Sequence, residues 1–128
     1  MNYVDLVAIL AVIQLVFFGV LVGRARGQYG VNAPAVTGHE MFERAYRVQM
    51  NTLELMVAFL PALYIGSKYW AQSYVAVAGL VYLIGRIIYW RSYTAAPKTR
   101  GLGFALSMMP ILALLIGSLV AIIRGGGA

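Results

Sequence analysis

Helical spacing brings Arg44, Arg47, Asn51 and Glu54 onto one side of a helix in the stretch MFERAYRVQMNTLE, residues 41–54. At about 100° per residue these four positions share an arc of roughly 80° and extend about 15 Å along the axis. Gln49 points elsewhere, toward a different helix or subunit. A second stripe, Tyr82, Arg86, Tyr89 and Tyr93, occupies an arc of about 60°. Guanidinium groups form charge-assisted, often bidentate hydrogen bonds to carboxylates, so arginines in this number suit an anionic ligand.

These stripes lie in a chain that is 62% hydrophobic and only 11% charged, against about 25% charged in a soluble domain. That deficit cannot cover a water-facing surface, so the protein is integral to a membrane. Its 128 residues make one domain, 1–128, with no room for a second core. Four segments approach the roughly 20 apolar residues needed to span a bilayer as a helix: about Tyr3 to Val22, Glu40 to Ile65, Ser73 to Tyr93, and Leu102 to Ile123. Backbone groups in lipid must be satisfied internally, so the expected fold is all-α, an up-down four-helix membrane bundle. No basic residue precedes the first segment, which reads as a retained helix and not a signal peptide.

The loop RARGQYGVNAPAVTGHE is the one long connection, and it contains Arg24 and Arg26. Thr37 and Glu40 stand at capping-box spacing, which predicts a second helix beginning near Gly38, with His39 as a solvated residue in its first turn. GSKYWAQS reads as a tight turn, with Lys68, Tyr69 and Trp70 as interfacial anchors. TAAPKTRG forms the third loop, and RGGGA ends the chain after a glycine stop. Pro61 and Pro110 fall inside helices two and four.

Arg24, Arg26, Arg91, Lys98 and Arg100 gather at loops one and three, while the other side has only Lys68 and Arg124. Positive-inside counting therefore places loops one and three in the cytoplasm. The net charge of +6 is accounted for by this topology, which leaves nucleic acid without support as a partner. Cysteine is absent, which excludes a cysteine nucleophile, and one histidine with a few scattered carboxylates predicts no metal site.

An arginine or acidic residue at the bilayer centre costs on the order of 2.5–3.5 kcal/mol, so the helix-two stripe cannot face lipid. Glu43 and Glu54 cannot neutralise Arg44, Arg47, Arg86 and Arg100 together, and an anionic ligand completes the balance. The competing account is a polar network that holds helices together. It applies best to single members, such as Arg44 paired with Glu43 or Glu40.

FERAYRVQMNTLE followed by GLVYLIGRIIYWRSY resembles the MAPEG family, the membrane-associated proteins of eicosanoid and glutathione metabolism. The likeness is strongest to its branch of microsomal glutathione transferases and cysteinyl-leukotriene synthase. It rests on E-R-x-x-R-x-Q-x-N-x-x-E in helix two, paired with R-x-x-Y-x-x-x-Y in helix three, and covers most of the chain. The resemblance implies a homotrimer with glutathione held between subunits near the cytoplasmic face. By motif, Arg47, Asn51, Glu54, Arg86, Tyr89 and Tyr93 match its glutathione-contacting positions, with Gln49 a further contact and Arg26 the arginine ending helix one. Arg100 matches the arginine that holds the thiol as thiolate. Leu55 replaces a tyrosine of the leukotriene-forming member and Gly27 an arginine, differences that argue against leukotriene synthesis.

The implied chemistry suits the stripes: Glu54 for the glutathione ammonium, Arg47 and Arg86 for its carboxylates, and Arg100 beside the sulfur. The expectation is a membrane glutathione transferase that conjugates hydrophobic electrophiles drawn from membrane lipid, with reduction of lipid hydroperoxides as a second reaction. The expected location is a bacterial inner membrane, with the active site toward the cytoplasm. Two alternatives stay open: a non-catalytic, lipid-binding member of the family, and a small multidrug transporter using Glu54 for proton coupling.

Overall fold

The computed structural model describes residues 1–125, and no strand occurs among them. Its long helices are α1 (Tyr3–Tyr29), α2 (Glu40–Tyr69), α3 (Gln72–Ala95) and α4 (Gly101–Ile123), with a short 3-10 turn at Pro97–Thr99. All four are long and apolar enough to cross a membrane. Pro61 and Pro110 sit inside continuous helices. The glycine stop is described only as far as Gly125; residues 126–128 lie outside the described residues.

The sequence-based boundaries need correction at the polar ends. α1 does not stop at Val22 but continues through Tyr29, so Arg24 and Arg26 are helical rather than in the first loop. The fall in hydropathy marks where α1 leaves the apolar layer, not where it ends. Arg26 in the last turn complements the helix dipole, and Gly30, at φ 69°, caps the end by donating its N–H to the Arg26 carbonyl. α2 likewise runs through Lys68 and Tyr69, leaving Trp70 and Ala71 as the whole turn before α3.

The predicted Thr37–Glu40 capping box is not formed. α2 begins at Glu40, and the His39 Nδ1 accepts the Met41 N–H at 3.1 Å. Gly38, at φ 142°, takes a backbone conformation that side chains disfavour, and donates its N–H to the Glu43 carboxylate at 3.1 Å. His39 is therefore a capping residue, not a merely solvated one. Its ring stacks on Tyr29 with centroids 4.2 Å apart, which ties together the two ends of the loop.

α2 and α3 form the middle of the bundle. α1 packs on both from one side, and α4 packs on both from the other. Val7 and Ala11 of α1, Phe59 and Leu63 of α2, Val75 and Tyr82 of α3, and Ile111 of α4 meet in one core. The Phe59 and Tyr82 rings stack there with centroids 3.8 Å apart. Lipid tails give such helices no hydrophobic reason to associate, so close packing and polar contacts must hold them. A Cβ on Gly85 of α3 would lie 2.7 Å from the Ser107 backbone nitrogen of α4. This close approach brings α4 against α3 beside the polar stripes.

Candidate functional site

Arg86 of α3 is fully buried where α2, α3 and α4 meet. Its Nε donates to Ser107 Oγ at 2.8 Å, and its Nη1 donates to Asn51 Oδ1 at 2.7 Å and to Thr52 Oγ1 at 3.1 Å. Both hydroxyls are committed as acceptors, because Ser107 Oγ donates to the Gly103 carbonyl and Thr52 Oγ1 to the Val48 carbonyl. The Arg86 guanidinium also lies over the Tyr89 ring, 4.3 Å from its centroid. Its Nη2 has no partner among the described residues. Arg86 thus sits behind the site as the link between three helices.

In front of it, Arg47 and Asn51 of α2, Tyr89 and Tyr93 of α3, Arg100 before α4 and Phe104 within it line a pocket of about 470 Å³. The Tyr89 and Tyr93 rings stack with centroids 5.5 Å apart and form one wall. Arg100 begins α4, where its carbonyl accepts the Phe104 N–H and its side chain donates to the Pro97 carbonyl at 3.2 Å. The open end of the pocket is therefore cationic, and the partial positive charge of a helix N-terminus adds to it.

Glu54 does not line this pocket. It pairs with Arg47 across two turns of α2 at 2.9 Å, with the two side chains 58% and 46% exposed respectively. The carboxylate that a proton-coupled exporter would require is thus already held by a cation.

The remaining sequence candidates lie elsewhere in the single chain. Gln49 sits against Gly19 of α1, where an added Cβ would fall 2.9 Å from its Nε2. The Arg26 Nη1 donates to the Ala35 carbonyl at 2.6 Å, and its guanidinium lies over Phe42. Arg44 pairs with Glu40 and donates to the Thr94 and Ala95 carbonyls at 3.0 and 3.1 Å, capping the end of α3. No group of metal-ligating side chains occurs among the described residues.

Sequence reasoning missed Thr52, Ser107 and Phe104. Phe104 stands one helical turn beyond Arg100 and shares its face, a signal available from spacing. Gly103 and Ser107 form a small-xxx-small pair, the pattern that marks close helix packing in membranes. Thr52 carried no such mark, because a threonine in a membrane helix usually bonds its own backbone.

Comparisons by sequence find relatives along most of the chain. The chain is 44% identical over 119 residues to an uncharacterized protein of Synechocystis sp., covering 92% of this chain and 86% of that one. It is 43% identical over 109 residues to microsomal glutathione S-transferase 2 of Homo sapiens, covering 85% of this chain and 74% of that one. Leukotriene C4 synthase of Cavia porcellus is 36% identical over 94 residues, which is 73% of this chain and 63% of that one. A model of the MAPEG family matches residues 4–120. With four spanning helices and that match, this integral membrane protein belongs to the MAPEG family.

Proposed function

We propose that this chain is a membrane-bound glutathione transferase acting on hydrophobic electrophiles, built as a single four-helix domain. The observation that carries the reading is the convergence of Arg47, Asn51, Tyr89, Tyr93 and Arg100 on one pocket. Two relatives named as a glutathione transferase and a leukotriene C4 synthase support it. Glutathione has two carboxylates and one ammonium. Arg47 and the Asn51 amide suit a carboxylate, and Glu54 suits the ammonium once its pairing with Arg47 is shared with the ligand.

Arg100 is the catalytic residue in this reading. A free thiol has a pKa of about 8.5, and an adjacent guanidinium favours the thiolate at neutral pH. The thiol proton goes to water. The sulfur then bonds to the electrophilic carbon while the leaving group departs, or while an epoxide oxygen opens and takes up a proton. With a lipid hydroperoxide, two glutathione molecules would give alcohol, water and glutathione disulfide.

The assembly in this reading is a homotrimer. An ion pair at membrane depth cannot be left against lipid, yet Arg47 and Glu54 are about half exposed, and Val57 below them is 74% exposed. A neighbouring copy would cover this face of α2. It would also bring Arg26 and Gln49 of the partner subunit to a pocket that a single chain leaves without them. In this reading the site faces the cytoplasm, which positive-inside counting supports, and the membrane is a bacterial inner membrane.

Calorimetric titration of reduced glutathione into the purified protein, with thiolate absorbance followed in the same samples, tests the reading. Saturable binding with thiolate at neutral pH is the expected result. Binding without thiolate would indicate a non-catalytic member, and no binding would end the proposal.

A further inference from the structure

The face of α3 turned away from the pocket carries a cation that the pocket cannot use. Arg91 lies about 140–160° around the helix from Arg86, Tyr89 and Tyr93. It follows Ile84 and Ile87 on a stripe that faces α1 across an apolar groove of about 520 Å³. Leu10, Ile13 and Phe17 of α1 form the other wall, and Trp90 closes the arginine-rich end. From Leu80 to Trp90 the groove is about 15 Å long, the depth of one leaflet of a hydrocarbon core about 30 Å thick.

Two arginines flank that closed end. The Arg91 guanidinium lies 5.4 Å from the Trp90 ring centroid, and Trp90 in turn meets the Phe17 ring edge-on at 5.4 Å. Arg24 stands one heptad beyond Phe17, on the same face of α1 and about 10 Å nearer the helix end. Both arginines are exposed, and neither guanidinium has an ion-pair or hydrogen-bond partner among the described residues. Arg26 and Arg44, by contrast, each donate to loop or helix-end carbonyls.

We propose that this groove binds an anionic phospholipid, with one acyl chain along Ile13, Leu80, Ile84 and Ile87 and the phosphate between Arg24 and Arg91. A neutral lipid would fill the apolar part equally well. The two free guanidinium groups at headgroup depth, with a tryptophan at the boundary, select for net negative charge. The site is separate from the pocket on the opposite face of α3 and does not depend on the transferase reading.

Native mass spectrometry of the detergent-purified protein, titrated with phosphatidylglycerol or phosphatidylcholine of identical acyl chains, provides the test. Phosphatidylglycerol should bind in preference. Arg24→Gln and Arg91→Gln should each weaken it about 5-fold, and the double variant about 30-fold, with phosphatidylcholine unaffected. Lys68→Gln and Arg124→Gln remove the same charge elsewhere and should leave the preference intact. Ile84→Trp, which fills the groove, should reduce binding of both lipids. Equal binding of the two lipids, a preference that survives the double variant or is lost equally in Lys68→Gln, or an indifferent Ile84→Trp would overturn the proposal.

Discussion

Arg86 and Asn51, on neighbouring helices, share a 2.7 Å hydrogen bond that decides which end of the Asn51 amide faces the pocket. The guanidinium can only donate, so it takes the amide oxygen and leaves the Asn51 NH₂ free on the other side. Asn51 lines the pocket, and the group it offers there is a donor. A buried cation thereby converts an ambiguous amide into a fixed donor for an anionic ligand.

Asn51→Asp should separate affinity from stability. The carboxylate keeps an acceptor for Arg86 and adds an opposite charge, so thermal unfolding in detergent should be unchanged or shifted upward. The pocket loses a donor and gains a repulsive oxygen, and glutathione affinity should fall by about tenfold or more, on the scale of a charge-assisted hydrogen bond. Calorimetry and thermal unfolding on the same preparation check both halves. A parallel fall in both would mean that Asn51 only holds helices together.

Arg86→Lys keeps the charge but not the fork. An ammonium cannot reach Ser107, Asn51 and Thr52 in the geometry that a planar guanidinium provides. The loss should be about 2 kcal/mol of stability, near the value for a hydrogen bond to a charged group. Glutathione affinity should drop with it, because Asn51 and Tyr89 lose the contact that orients them. Unfolding of the detergent-solubilised variant by graded denaturant measures the first effect, and ligand titration the second.

Glu54→Gln tests the surface pair. The pair is about half exposed on the single chain, and exposed pairs contribute about 0–1 kcal/mol, so a monomer should hardly change in stability, whereas a trimer that covers the pair should lose more. Affinity for glutathione should fall, and glutathione lacking its ammonium should lose the difference between wild type and variant. Retention of that difference would assign Glu54 to the subunit interface alone.

The fold was largely legible in the residues, since four apolar runs and the lipid requirement for internal hydrogen bonding leave one solution. What failed was the polar margin. Hydropathy ends where water begins, but α1 continues for two more turns into solvent, and His39 supplied a cap that the Thr37–Glu40 spacing had promised to another pair. At the site, helical periodicity correctly grouped Arg47 with Asn51 and Tyr89 with Tyr93. It could not say that Arg86 would turn inward to two hydroxyls, because periodicity gives a residue's face but not the reach of a long side chain. Periodicity did turn Gln49 away from the α2 stripe, and it meets α1, but the sequence could not show that Arg26 lies apart from the pocket within the chain.

Arg100→Ala should remove chemistry and leave binding. Arg100 is at the mouth of the pocket, where its side chain makes one hydrogen bond to the Pro97 carbonyl, so its loss disturbs little structure. Without the guanidinium the bound thiol should titrate nearer its free value of about 8.5. Turnover at neutral pH should fall about 30-fold, because a thiol of pKa about 8.5 is only about 3% ionised at pH 7. The pH–rate profile should move upward, with activity partly restored under alkaline conditions. A variant with lower turnover at every pH and no shift in the profile would place Arg100 in substrate positioning.

Gly85→Ala asks whether the close approach of α3 and α4 matters to the site. The added methyl would lie 2.7 Å from the Leu106 carbonyl carbon and the Ser107 nitrogen, both backbone atoms that cannot swing aside. The helices must separate there, at a cost of about 1–3 kcal/mol for an overpacked interface. α4 carries Ser107, Phe104 and the start that holds Arg100, so the displacement should stretch the Arg86–Ser107 bond and enlarge the pocket together. Reduced unfolding temperature and weakened glutathione binding should therefore appear in the same variant. Gly23→Ala is the matched control. Nothing lies within 4 Å of its added methyl, and alanine favours a helix over glycine by about 0.5–1 kcal/mol, so that variant should be at least as stable as the parent and bind equally. If Gly85→Ala unfolds earlier yet binds as before, the helix packing and the pocket are mechanically independent, and Arg86 cannot be the link between them.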